Sequence, residues 1–145
     1  MNIHSVKCAA LATALACMAH VAQADELLPL PPAKQSGDVT YTSGGIPDEQ
    51  LPAVKQARAS YPLVIELFQK NGAKNQYTAD VQVRLIDAKG QVVLDDKSEG
   101  PFFLVKPAPG TYRVEATFNG RTLEQRGVNV GASGSKRVVF VFPPS

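Results

Sequence analysis

Residues 110–120 read Gly110-Thr111-Tyr112-Arg113-Val114-Glu115-Ala116-Thr117-Phe118-Asn119-Gly120. Tyr112, Val114, Ala116 and Phe118 alternate with Arg113, Glu115 and Thr117. Successive side chains of a strand point to opposite faces, so this period of two describes a strand with one face buried and one wet. Asn119-Gly120 follows directly. Both residues accept the positive φ that a two-residue hairpin turn requires, so a second strand is expected to run back from Arg121. Leu123 and Val128 on that return are out of phase, and Gly127 between them is expected to be a bulge that resets the face.

The same period extends outward in both directions. Leu63-Val64-Ile65-Glu66-Leu67-Phe68 is a short, nearly all-apolar run of the kind that forms a central strand. Val81, Val83 and Leu85 alternate with Gln82, Arg84 and Ile86, and Val92 and Leu94 continue after a turn at Ala88-Lys89-Gly90. Phe102 to Lys106 is a further apolar run. Val138, Phe140 and Phe142 share one face of a last strand that Pro143 and Pro144 stop. Asn71-Gly72 and Pro109-Gly110 are turn pairs. About seven evenly punctuated strands over residues 61–145 predict a mainly β chain: a seven-stranded antiparallel β-sandwich preceded by one short helix.

Three segments precede it. Residues 1–24 read as a secretory signal peptide: Lys7, an apolar run from Cys8 to Met18, then the small-x-small pattern Ala22-Gln23-Ala24. An alternative stays open, in which Ala14-Leu15-Ala16-Cys17 is a bacterial lipobox and Cys17 an anchor. Residues 25–40, with Pro29, Pro31 and Pro32 among leucines, are expected to be a flexible extended tail. Residues 41–60 are expected to be a glycine-rich turn and a short helix, with Asp48 and Glu49 near its positive end and Lys55 and Arg58 near its negative end.

Removing 24 of the 145 residues takes away every Cys, His and Met, and the chain has no Trp. Without imidazole or thiol, thiol catalysis, serine triads and zinc or copper sites have no ligands or bases to work with. No cofactor is expected, and the reading is of a non-enzyme. With Lys7 gone, 14 Lys and Arg balance 13 Asp and Glu, which is too even for nucleic acid as a partner. No apolar run after the signal reaches the ~20 residues of a membrane span. The expected location is the periplasm, and the expected partner an envelope protein or glycan.

The stretch from Ala79 to Val130 resembles the carboxypeptidase regulatory-like domains. The carrying residues are Ala79-Asp80-Val81-Gln82-Val83, Asp87-Ala88-Lys89-Gly90, and Phe103-Leu104-Val105 leading into Pro109-Gly110-Thr111-Tyr112-Arg113-Val114. The whole chain is also similar to small exported proteobacterial proteins of unknown function that join a Tyr-x-Ser-Gly-Gly segment, here Tyr41 to Gly45, to such a domain. The resemblance implies a transthyretin- or prealbumin-like sandwich serving as an accessory that stabilises, orients or binds. It implies no active site.

The candidate interaction residues are Tyr41, Gly44, Gly45 and Asp48 ahead of the helix, and Arg113, Arg121, Arg126 and Arg137 in the last strands. Other readings stay open beside them. Ser43-Gly44-Gly45 could present N–H groups to an anion, or serve only to let Tyr41, Ile46, Leu51 and Val54 pack the helix on a sheet. Asp95, Asp96 and Glu99 could form a weak calcium loop. A small-ligand or carbohydrate module would use Tyr41 and Tyr77, and a carboxylate-only enzyme would use Asp80, Asp95 or Asp96.

Overall fold

The structure is a computed structural model, and it describes residues 27–145. The segment expected to be a signal peptide, with Cys17, lies outside the described residues. The chain forms ten strands: β1 (Lys34–Ser36), β2 (Val39–Gly44), β3 (Leu63–Asn71), β4 (Lys74–Tyr77), β5 (Gln82–Ile86), β6 (Val92–Lys97), β7 (Phe102–Lys106), β8 (Gly110–Phe118), β9 (Arg121–Val130) and β10 (Lys136–Phe142). The helix α1 (Leu51–Ala57) lies between 3-10 turns at Asp48–Gln50 and Arg58–Ser60. No helix among the described residues is long and apolar enough to cross a membrane.

The strands divide into two sheets. The larger runs β1-β2-β7-β3-β10, with β4 added to the far half of β3. The smaller runs β6-β5-β8-β9. Alternation decides which side chains meet between them. Leu63, Ile65, Leu67, Phe103, Val138, Phe140 and Phe142 from the larger sheet bury against Val83, Leu85, Leu94, Val114, Ala116 and Val128 from the smaller one. The β8–β9 hairpin turns at Asn119 and Gly120, with φ of 50° and 72°. Tyr112 pairs with Val128 but Val114 with Gln125, so the bulge falls at Arg126-Gly127, where Gly127 has a φ of 64°.

The fold departs from the expected seven antiparallel strands in two ways. Three further strands appear. β1 and β2 form a hairpin out of residues expected as tail and turn, because Val39 and Tyr41 alternate inward and Gly37 takes the positive φ of the connection. β4 is exposed at all four residues and shows no apolar period; its backbone ladder to β3 and the Tyr77 ring hold it. The second departure is direction: β10 runs parallel to β3, from Lys136 beside Leu63 to Phe142 beside Gln69. Alternation reports the face of a strand and carries no information on its direction.

The outer face of the larger sheet is covered at one end by the helical segment. Val64 and Leu104 point away from the inter-sheet core, yet both are buried, as is Val54 of α1. Glu66 shares that face and is also buried. Arg58 donates to its Oε1 at 3.4 Å, and Arg137 of β10 binds its Oε2. The Arg58 guanidinium lies 6.0 Å from the Phe102 ring centroid. One carboxylate thus ties the helical segment, β3 and β10 together, which keeps it hydrogen-bonded on a nearly dry face.

Candidate functional site

The residues selected ahead of the helix serve the fold. Tyr41 lies in the core against Phe103, the rings 5.6 Å apart and 12° from parallel, and its hydroxyl donates to Asp96 Oδ2 at 2.7 Å. This bond links β2 of one sheet to β6 of the other. Burial first, then the Asp96 carboxylate, pushes the Tyr41 phenol up to about 12. Burial alone would raise the Asp96 carboxyl. The Tyr41 hydroxyl, the Lys97 N–H and the Lys34 ammonium together outweigh that and hold it below its usual value.

Tyr41 therefore makes stability depend on pH in the alkaline range. Its folded value lies above the unfolded 10.0, so the folded state keeps a proton that the unfolded state releases. The contribution is full below pH 10 and is lost as pH rises toward 12, amounting to about 2 kcal/mol. Urea unfolding of Tyr41→Phe should lose about 1 kcal/mol at neutral pH through the missing hydrogen bond. Between pH 10 and 12 it should fall less steeply than the parent chain. Equal slopes would remove Tyr41 as the source.

Ser43 Oγ accepts from the Glu99 N–H at 2.8 Å, and the Gly45 N–H donates to Gln50 Oε1 at 3.0 Å. Both groups are thus engaged within the chain, which is the packing reading and leaves no anion cradle. Val54 packs as expected, but Ile46 is 48% exposed, because the chain leaves the sheet at Gly45 with a φ of 105°. Asp48 is exposed at the start of the first 3-10 turn.

The arginines do not converge. On the outer face of the smaller sheet, register aligns Asp95, Arg84, Glu115 and Glu124 in one row across four strands. Arg84 donates to Glu115 at 3.1 Å, Arg113 lies 3.4 Å from Glu115, and Arg126 is bound to Glu124. Arg121 stands exposed at the hairpin end, and Arg137 belongs to the other sheet. Asp95 and Asp96 point to opposite faces of β6, Asp95 to Gln82 and Arg84, Asp96 to Tyr41 and Lys34. The calcium loop is therefore split, and no group of three metal-ligating side chains is found among the described residues.

Two features lie outside the residues selected from sequence. The first is the set of strand edges. An open edge presents unpaired N–H and C=O groups and invites another strand unless it is short, charged, bulged or covered. β1 has three residues and starts at Lys34, and β4 has four, all polar but Tyr77. β6 carries Asp95, Asp96 and Lys97, and Ser36 Oγ donates to its Val93 carbonyl. β9 carries Arg121, Glu124 and Arg126 and is bulged at Gly127. β10 pairs with β3 alone, and its Val138-Val139-Phe140-Val141-Phe142 run has no charge, Gly or Pro. Past its two charged first residues, Lys136 and Arg137, it is the least guarded edge among the described residues. Beside it, register places Val141, Phe68 and Tyr77 in one row across β10, β3 and β4 on the outer face. The Phe68 and Tyr77 rings stack at 5.0 Å, and Tyr77 is 47% exposed. The helical segment covers the opposite end of this face and leaves the row partly open.

The second feature is a groove of about 640 Å³ at one end of the sandwich, lined by Asp38, Asp87, Val92, Lys106, Ala108 and Tyr112 among others. The Tyr112 hydroxyl donates to the Ala108 carbonyl at 2.6 Å, and burial first, then Asp87, raises its phenol. Searched against family models, curated proteins and solved structures, the chain has no match.

Proposed function

We propose that this chain is an exported, non-enzymatic binding module that engages a partner protein by strand addition along β10. The carrying observation is an edge, among the described residues, whose last five positions, Val138 to Phe142, are all β-branched or aromatic and whose strand is paired on one side only. In strand addition the backbone ladder supplies affinity and alternate side chains supply selectivity. The half-open row of Val141, Phe68 and Tyr77 gives those side chains an apolar surface next to the ladder.

An accessory role agrees with the resemblance to the carboxypeptidase regulatory-like domains. β3 and β5 to β10 make seven strands, with β1, β2 and β4 as additions to that count. The absence of imidazole and thiol after His20 leaves little for catalysis. The signal-like start favours a periplasmic envelope protein as the partner. A second reading, a small-ligand or carbohydrate module, draws on the groove at Asp87 and Tyr112, whose size falls in the usual range for small-molecule sites.

The test is chemical cross-linking in native envelope extract, followed by amide hydrogen exchange of the recovered complex. Slowed exchange in β10, and at least about tenfold weaker binding by Val139→Lys, is the expected result. Protection confined to the groove residues would transfer the function to the second reading. Protection on β9 or the helical segment, or recovery of neither an envelope protein nor a second copy of the chain, would overturn strand addition.

A further inference from the structure

We infer that the strand received by β10 is β10 of a second copy, paired antiparallel about a two-fold axis near Val139. This rests on the strand-addition reading and names its partner. The sequence Lys136-Arg137-Val138-Val139-Phe140-Val141-Phe142 is its own complement in that direction. With Val139 opposite its symmetry mate, Val138 faces Phe140, Arg137 faces Val141 and Lys136 faces Phe142. Pairs of aromatic and β-branched side chains stabilise an antiparallel ladder. The cations of the two copies then lie at opposite ends of the ladder, about 20 Å apart for Lys136 and about 13 Å for Arg137 at ~3.3 Å per residue.

The alternative directions are disfavoured on the same residues. A parallel, in-register pair would stack Lys136 on Lys136 and Arg137 on Arg137, and like charges directly opposite destabilise a ladder. It would also lack the two-fold symmetry that closes an assembly. In the antiparallel pair the Val141, Phe68 and Tyr77 rows of both copies lie on the same face of one continuous sheet. The assembly closes as well. Pairing consumes the least guarded edge of each copy, and the sheet that results ends at β1 on both sides, where three residues and Lys34 discourage further addition. A second copy therefore satisfies the edge and stops growth in one step.

The experiment uses the full chain carrying Cys8→Ser and Cys17→Ser. Sedimentation equilibrium should show a concentration-dependent dimer, which Val139→Lys converts to monomer while the far-ultraviolet dichroism stays that of a β fold. Val139→Cys should form a disulfide-linked dimer on mild oxidation, since directly opposed residues of an antiparallel pair have the Cα separation a disulfide needs. Thr122→Cys, on exposed β9, should not. A dimer that survives Val139→Lys, with no link through position 139, would overturn the inference by placing the interface elsewhere. A monomer at high micromolar concentration whose β10 amides are protected by an envelope protein would overturn self-pairing and leave strand addition standing. A monomer with no protected edge would overturn both.

Discussion

Replacing Gly100 with alanine is expected to cost about 3–5 kcal/mol, the range of severe packing errors. Residues 98–101 carry the chain from β6 in the smaller sheet to β7 in the larger one, and the backbone is engaged on both sides of Gly100. Ser98 exchanges backbone hydrogen bonds with Asp80 and Val81, Glu99 donates to Ser43, and the Pro101 carbonyl accepts from Leu67. Gly100 is pressed against the end of β2. A Cβ there would lie 2.3 Å from both the carbonyl carbon and the oxygen of Gly44. Those are backbone atoms held in the ladder with β7, so relief requires separating the turn from the strand. The melting temperature should fall by roughly 10–20 °C, with the urea m-value unchanged. Gly44→Ala should cost less, because its Cβ would meet the movable ends of Leu30 and Gln50 at 2.7 and 2.9 Å. Gly72→Ala meets nothing within 4 Å and bears only the strain of its positive φ, about 1 kcal/mol. If the three variants unfolded at the same urea concentration, the close approach at Gly100 would not be a determinant of the fold.

Phe103→Ala should cost a comparable 3–5 kcal/mol by opening a cavity between the sheets. Phe103 is fully buried at the middle of β7, paired with Ser43 on one side and Ile65 on the other. Its ring also stacks on Tyr41. Loss of the ring would admit water toward the Tyr41 phenol, whose high value comes first from burial. Absorbance titration should therefore show Tyr41 ionising earlier in Phe103→Ala than in the parent chain. A destabilised variant with an unmoved titration would separate the cavity from the inter-sheet hydrogen bond.

Much of the sandwich is legible in side-chain alternation. Strands β3 and β5 to β10, the Asn119-Gly120 turn and the Gly127 bulge all follow from which residues repeat at period two and where glycine interrupts them. Two of the three further strands, β4 and β1, had no such signal. Lys74 to Tyr77 is polar but for Tyr77, and Lys34 to Ser36 is too short to show a period and lies just after Pro31 and Pro32. Glu66 looked like a break in an apolar run. Its partners Arg58 and Arg137 are 8 and 71 residues away, so nothing local marks it as a buried junction.

The candidate site was less legible than the fold. Tyr41, Gly44 and Gly45 stood out by composition, but Tyr41 joins the two sheets, Gly44 receives the close approach of Gly100, and Gly45 is held by Gln50. Arg113, Arg126 and Arg137 stood out by charge, but each lies in an ion pair with a carboxylate of its own or a neighbouring strand. The residues that carry the proposed site, Val139, Val141, Phe68 and Tyr77, read as ordinary strand residues. Their significance lies in what is absent beside them.

Local chemistry alone determined that this chain is mainly β, where its main hairpin turns, which side chains face a core, and that its region after His20 lacks imidazole and thiol. Those properties depend on residues within a few positions of one another. Tertiary structure decided the order of strands, the parallel pairing of β10 with β3, and therefore which edge is left open. An edge is defined by the neighbour a strand lacks, and neighbours are set by contacts between residues far apart in the chain. That is why the alternation of Val138, Phe140 and Phe142 could reveal a strand, and only the folded sheet could reveal that one side of it is free.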